Sequence, residues 1–167
     1  MNRLIALIAV AALFLMKKTS RSAGTGNWTA NFSESEFIPA GDIGTIPATA
    51  VSNLKRLAVD VLQPAREKLG LPIKITSAYR NAAKNAAVGG SSSSQHLTGE
   101  AVDVQPVPNT AANAKRLWDI LEDGGYDQMI WENAVPFNKP SHIHISYKSS
   151  GNRKKKYYML AGNYYLM

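Results

Sequence analysis

Cysteine is absent from this 167-residue chain. Disulfides and thiolate metal sites are therefore excluded, and the redox compartment is left undecided. No internal repeat is visible. No apolar run reaches the ~20 residues that a full membrane span requires. Acidic residues are the scarcer charge, 12 against 19 basic, for a formal net charge of +7. The excess is uneven, because Arg3, Lys17, Lys18 and Arg21 lie ahead of residue 22 with no acidic residue among them. The remainder, only modestly positive, suits an anionic partner such as a cell wall. No nucleic-acid motif accompanies the charge, so nucleic acid is not expected as a partner. Histidine is scarcer still: there are three.

All three fall within two short motifs. The first is Ser94-Gln95-His96-Leu97-Thr98-Gly99-Glu100-Ala101-Val102-Asp103, and the second is Ser141-His142-Ile143-His144-Ile145-Ser146. Zinc binds imidazole nitrogen and carboxylate oxygen, and a catalytic zinc keeps three protein ligands and an open position. His96, Asp103 and one histidine of the His-Ile-His pair would fill that set. Strand periodicity makes the grouping sensible, since residues two apart share a face. Val102 and Val104 would face a core, with Asp103 and Gln105 on the other side. Ile143 and Ile145 would do the same, turning both histidines outward. Two ordinary amphipathic strands would explain the valines and isoleucines, but not ligand-type residues on the polar faces.

The pattern Ser-x-His-x-x-Gly-x-Ala-x-Asp followed by His-x-His resembles the zinc D-alanyl-D-alanine carboxypeptidases, a group that includes phage endolysins and shares its fold with the hedgehog domain. The likeness runs from about residue 31 to 147 and includes Ile75-Thr76-Ser77-Ala78-Tyr79-Arg80. It implies His96, Asp103 and His144 as ligands of one zinc ion, with His142 in the site as a helper. It implies Arg80 as the group that meets a substrate carboxylate or carbonyl, and Tyr79 and Ser94 stand with Arg80 as substrate-contact candidates. In some relatives the general base lies three residues before the last zinc histidine, where this chain has Ser141. In others a glutamate closes an Asp-x-x-x-x-Glu strand, which Asp127-Gln128-Met129-Ile130-Trp131-Glu132 matches. Glu132 is accordingly the expected base. Its rival Glu100 is on the opposite strand phase to Asp103 and should point away.

The expected fold is α+β: a small antiparallel sheet carrying the zinc site, flanked by helices, hedgehog-like. Residues 4–16 are uninterrupted and apolar behind Arg3, the size of a signal-peptide core. Lys17-Lys18 closes the run and no Ala-x-Ala follows, so residues 1–19 are expected to be either a signal or a retained membrane anchor. Residues 20–30 read as a linker, 31–150 as the peptidase domain and 151–167 as a basic, aromatic tail. Within the domain, Ser33 and Glu36 form a helix-start signature. Helical spacing runs from Val51 to Leu69, with a kink or division at Pro64 and a stop at Gly70. A strand over 72–76 and a short helix over 82–87 follow, then a flexible loop over 89–94. Asn109 should cap a helix through Glu122. Tyr126 should open the next strand.

The expected activity is hydrolysis of peptide bonds in peptidoglycan stem peptides by an exported or membrane-anchored monomer. Residues 4–16 offer a membrane contact. Two alternatives remain open: a zinc-retaining wall-binding module without turnover, and a structural component of a phage particle.

Overall fold

The computed structural model describes residues 26–167, so the apolar segment at 4–16 lies outside the described residues. Among those described, no helix is long and apolar enough to cross a membrane. Order begins ahead of residue 31: Asn27 bridges Ser33, and the Trp28 ring packs 4.9 Å from that of Phe37. Helix α1 (Glu34–Phe37) starts as its sequence suggests, with the Ser33 N–H donating to Glu36 Oε1 at 2.8 Å.

The next helical segment is divided by winding. Helix α2 (Ala48–Leu57) passes through a π-helical stretch, Ala58–Leu62, into α3 (Gln63–Leu69). Pro64 follows directly on the π-helical stretch, where the winding changes ahead of its ring and missing N–H. Gly70, at φ +69°, ends the segment in the left-handed conformation that glycine adopts without strain. Strand β1 (Ile73–Ser77) leads to α4 (Ala82–Ala87), whose first turn is satisfied by the Asn81 side chain. After β2 (Ala101–Pro106) comes α5 (Ala111–Asp123). Thr110 is its cap, not Asn109: the Thr110 hydroxyl accepts from Asn113 N–H, while Asn109 Nδ2 donates to Pro140 O. Strands β3 (Gln128–Glu132), β4 (Ile143–Ser146), β5 (Lys155–Leu160) and β6 (Asn163–Leu166) complete the chain.

The fold is α+β, but its sheet is mixed rather than antiparallel. The strand order is β1-β2-β4-β3-β5-β6, with β3 and β5 parallel and the other pairs antiparallel. The reason is topological. After β4 the chain passes over the end of β3 and reverses, so β5 runs against β4 and therefore with β3. Residues 151–167 thus enter the sheet instead of trailing from it.

Strand alternation divides the sheet into two faces. Val102, Val104, Met129, Trp131, Ile143 and Ile145 are fully buried against Leu54, Leu57, Leu62, Leu117 and Leu121 from the helices. Trp118 of α5 meets Trp131 edge-on at 5.6 Å. Each such side chain contributes about 1.5–3 kcal/mol on burial, which fixes the strand phase. The opposite face is thereby committed to Asp103, His144, Ile130 and Glu132.

Candidate active site

Cross-strand register assembles the site. Asp103 on β2 is paired with His144 on β4, and His144 with Ile130 on β3. One row further along, Glu132 N–H donates to His142 O at 3.2 Å. A register shift between Ile75 and Ser77 brings Ser77 opposite Asp103. His96 arrives from outside the sheet, on the loop that closes at Gly99. That glycine has φ +70°, and a Cβ there would sit 2.4 Å from Ala50 O. Only glycine fits both the dihedral and the approach to α2, which gives the motif position its physical reason.

His96 Nε2, His144 Nδ1 and Asp103 Oδ1 form a buried triangle. The separations are 3.2 Å between the two nitrogens, 3.2 Å from His96 to Asp103 and 3.0 Å from His144 to Asp103. Ligands at ~2.0–2.1 Å on one face of a tetrahedral ion would stand only slightly further apart, at ~3.4 Å. His96 Nδ1 lies 2.7 Å from Ala78 O, which can only accept, so Nδ1 carries the proton and Nε2 presents its lone pair inward. Asp103 Oδ2 accepts from Arg80 Nη2 at 2.7 Å, leaving Oδ1 for the centre of the triangle. Burial pushes the His144 imidazole below its usual range, toward the neutral form a ligand needs. Burial would raise the Asp103 carboxyl, but the His144 and His96 contacts hold it well below its usual value. Two imidazole nitrogens and a carboxylate oxygen facing one point fit a divalent cation, and these three residues could hold one.

His142 stands slightly apart. Its Nε2 is 3.7 Å from Asp103 Oδ1, and its Nδ1 is 3.0 Å from the Ser141 hydroxyl. Burial lowers its pKa as well. Glu132 is buried at 7% exposure, and its carboxylate has no hydrogen-bond partner among the described residues. Burial, and then the Asp103 charge, raise its pKa to about 7 against the opposing pull of Arg80. A carboxylate of that kind is poised to exchange a proton near neutral pH.

A cleft of about 500 Å³ opens over these groups, lined also by Arg80, Ser94 and Gln128. Arg80 is braced by Ser77 as well as Asp103, with Nε donating to Ser77 Oγ at 3.0 Å. Ser94 belongs to a loop whose start is tied to α4, where Asn85 Nδ2 donates to the carbonyls of Gly90 and Ser91. Tyr79 does not reach the cleft. It is 8% exposed in the hydrophobic core, because the chain alternates at this point and sends Arg80 one way and Tyr79 the other. The sequence reading did not anticipate Gln95, Arg153, Tyr157 and Tyr164, all of which line the cleft. The available signal was the pair of tyrosine doublets, because adjacent residues on a strand face opposite sides and one of each pair must therefore turn to the polar face.

The peptidase M15 family model matches residues 30–146, which span every group of the triangle together with Arg80, Glu132 and His142. The chain belongs to the peptidase M15 family. No curated protein matches it. The M15 match ends at the last residue of β4, so Arg153 and both strands of the C-terminal hairpin lie beyond it.

Proposed function

We propose that the protein is a zinc-dependent peptidase that hydrolyses peptide bonds in peptidoglycan stem peptides. The observation that carries this reading is the buried His96–Asp103–His144 triangle on the floor of a cleft, with the buried Glu132 carboxylate beside it. When bound there, zinc supplies a coordinated water of pKa ~7 and polarises a carbonyl. Arg80 fixes the orientation of Asp103 and keeps its second oxygen occupied. Glu132 accepts a proton from the attacking water and returns it to the leaving amine, a role that suits a buried carboxylate whose pKa is raised above its ordinary value. His142, held by Ser141 with Nε2 turned toward the site, donates to the oxygen that gains charge.

A stem-peptide substrate is supported by the likeness to D-alanyl-D-alanine peptidases and by arginines in the cleft, which suit free carboxylates. A carboxylate positioned as a base favours turnover over binding alone. Residues 1–19 would direct such an enzyme to the wall as a signal or an anchor. Purified protein incubated with peptidoglycan, with and without a chelator, tests the reading by mass spectrometry. Chelator-sensitive release of D-alanine alone identifies a carboxypeptidase, and larger fragments identify an endopeptidase. Unchanged wall fragments from zinc-loaded protein would reject turnover.

A further inference from the structure

The C-terminal hairpin does more than extend the sheet. Its register continues the rows of the site: Ile130 pairs with Tyr157, and Glu132 pairs with Met159, which pairs in turn with Tyr164. Paired residues share a face, so Tyr157 and Tyr164 stand on the face that carries Asp103, His144 and Glu132, and both line the cleft. Their doublet partners point the other way. Tyr158 packs on the hydrophobic core and stacks on Tyr165 at 4.8 Å. One tyrosine of each doublet anchors the hairpin, and the other is presented to the cleft. Tyr164 is 60% exposed and pairs with Met159 of β5. Burial raises its pKa, and the charges of Glu132 and Asp103 raise it further against the pull of Arg80.

Arg153, just ahead of the hairpin, is equally constrained. Its Nε and Nη2 both donate to the fully buried Asp127 carboxylate, which also accepts from Arg153 N–H and from Gln95 Nε2. Nη1 has no hydrogen-bond partner among the described residues, and the side chain is 45% exposed in the cleft wall. Lys148 lies 3.7 Å from the same carboxylate and shares its charge, while the Glu100 carboxylate also acts on Arg153. A guanidinium held on one edge and open on the other is set to receive an anion at low entropic cost.

We propose that Arg153, Tyr157 and Tyr164 form a substrate-recognition subsite for a peptide residue bearing a free carboxylate. Arg153 takes the carboxylate and the two tyrosines take the adjoining chain. The inference rests on the peptidase reading for its substrate class, and equilibrium binding tests it separately. The probe is a synthetic stem peptide with free internal and C-terminal carboxylates, alongside forms amidated at one or the other. Each is titrated by calorimetry into the full-length Glu132→Gln protein, with and without added zinc. Amidation of one carboxylate should weaken binding by about tenfold or more. Adding Arg153→Lys, which keeps a positive charge beside Asp127 but removes the fork, should reduce that discrimination below about threefold. Tyr164→Ala, at an exposed position, should weaken all forms about fivefold, and it carries the test if Arg153→Lys does not fold. Discrimination and affinity unchanged in both variants would overturn the subsite. Peptide binding that depends on the hairpin, without hydrolysis by the wild-type protein, would reject the peptidase reading and keep the subsite. No binding of any peptide would reject both.

Discussion

His142, just ahead of β4, and His144 within it are two residues apart, yet they meet the rest of the site differently. His144 Nδ1 is 3.0 Å from Asp103 Oδ1 and His142 Nε2 is 3.7 Å away. Metal retention should follow that difference. His144→Ala and Asp103→Ala should fall well below one bound zinc per chain, whereas His142→Ala should remain stoichiometric and lose turnover. Elemental analysis of the three variants reads this directly, and loss of zinc from His142→Ala would reverse the assignment of the pair. Glu132 gives a second expectation. Glu132→Gln should keep zinc and fold while kcat falls ~10²- to 10⁴-fold, and Glu100→Gln should change little. A base must be ionised to act, and the Glu132 pKa is raised to about 7. Activity should therefore rise with pH on an acidic limb that a cation in the triangle draws below that value. A pH–rate profile locates the limb, and near-normal hydrolysis by Glu132→Gln would remove the residue from the mechanism.

Elements place these residues, and two of them can be tested at single positions. The loop carrying His96 depends on Gly99, where an added Cβ would meet Ala50 O at 2.4 Å and φ is +70°. Backbone cannot give way as a side-chain end can. Gly99→Ala should cost about 2 kcal/mol or more and weaken metal binding by displacing His96, both measurable by thermal melts with and without zinc. The hairpin of β5 and β6 is the second case. Because β5 pairs with β3 along its length, deleting residues 153–167 would strip the edge from the strand that holds Glu132. Such a deletion therefore reports on folding as much as on the cleft. Point changes at Tyr164 probe the surface without disturbing the pairing.

Across the whole molecule, the buried Asp127 joins the motif loop to the C-terminal extension. It accepts from Gln95, the residue before His96, and from Arg153, the residue that leads into the hairpin. Burial alone would raise its pKa, but the Arg153 hydrogen bonds hold it at about 2. A depressed carboxylate stabilises the fold above its unfolded value of ~3.9, and that contribution fades as pH falls through ~4 toward 2. The shift corresponds to about 2 kcal/mol, less the screening that a half-exposed arginine permits. Asp127→Asn should lower the melting temperature at pH 7 by roughly 5 °C and flatten the dependence between pH 4 and 2. Equal melting of variant and wild type at pH 7 would show that the tie carries no stability.

Local chemistry already determined much of this in the sequence. Alternating Val102, Val104, Ile143 and Ile145 set the strand phases, which put Asp103 and His144 on one polar face whatever the partner strands. The strand ending at Glu132, the short helix after Asn81 and the stop at Gly70 were legible for the same reason: each depends on neighbours a few positions away. Tertiary structure decided what depends on distant chain. The parallel pairing of β5 on β3 follows from how one loop crosses a strand end, and no local pattern carries that information. Tyr79 entered the core because residues 32–38 supply a wall for it. Arg153 and the tyrosines became part of the cleft because a buried carboxylate 26 residues away caught the chain and turned it back onto the sheet.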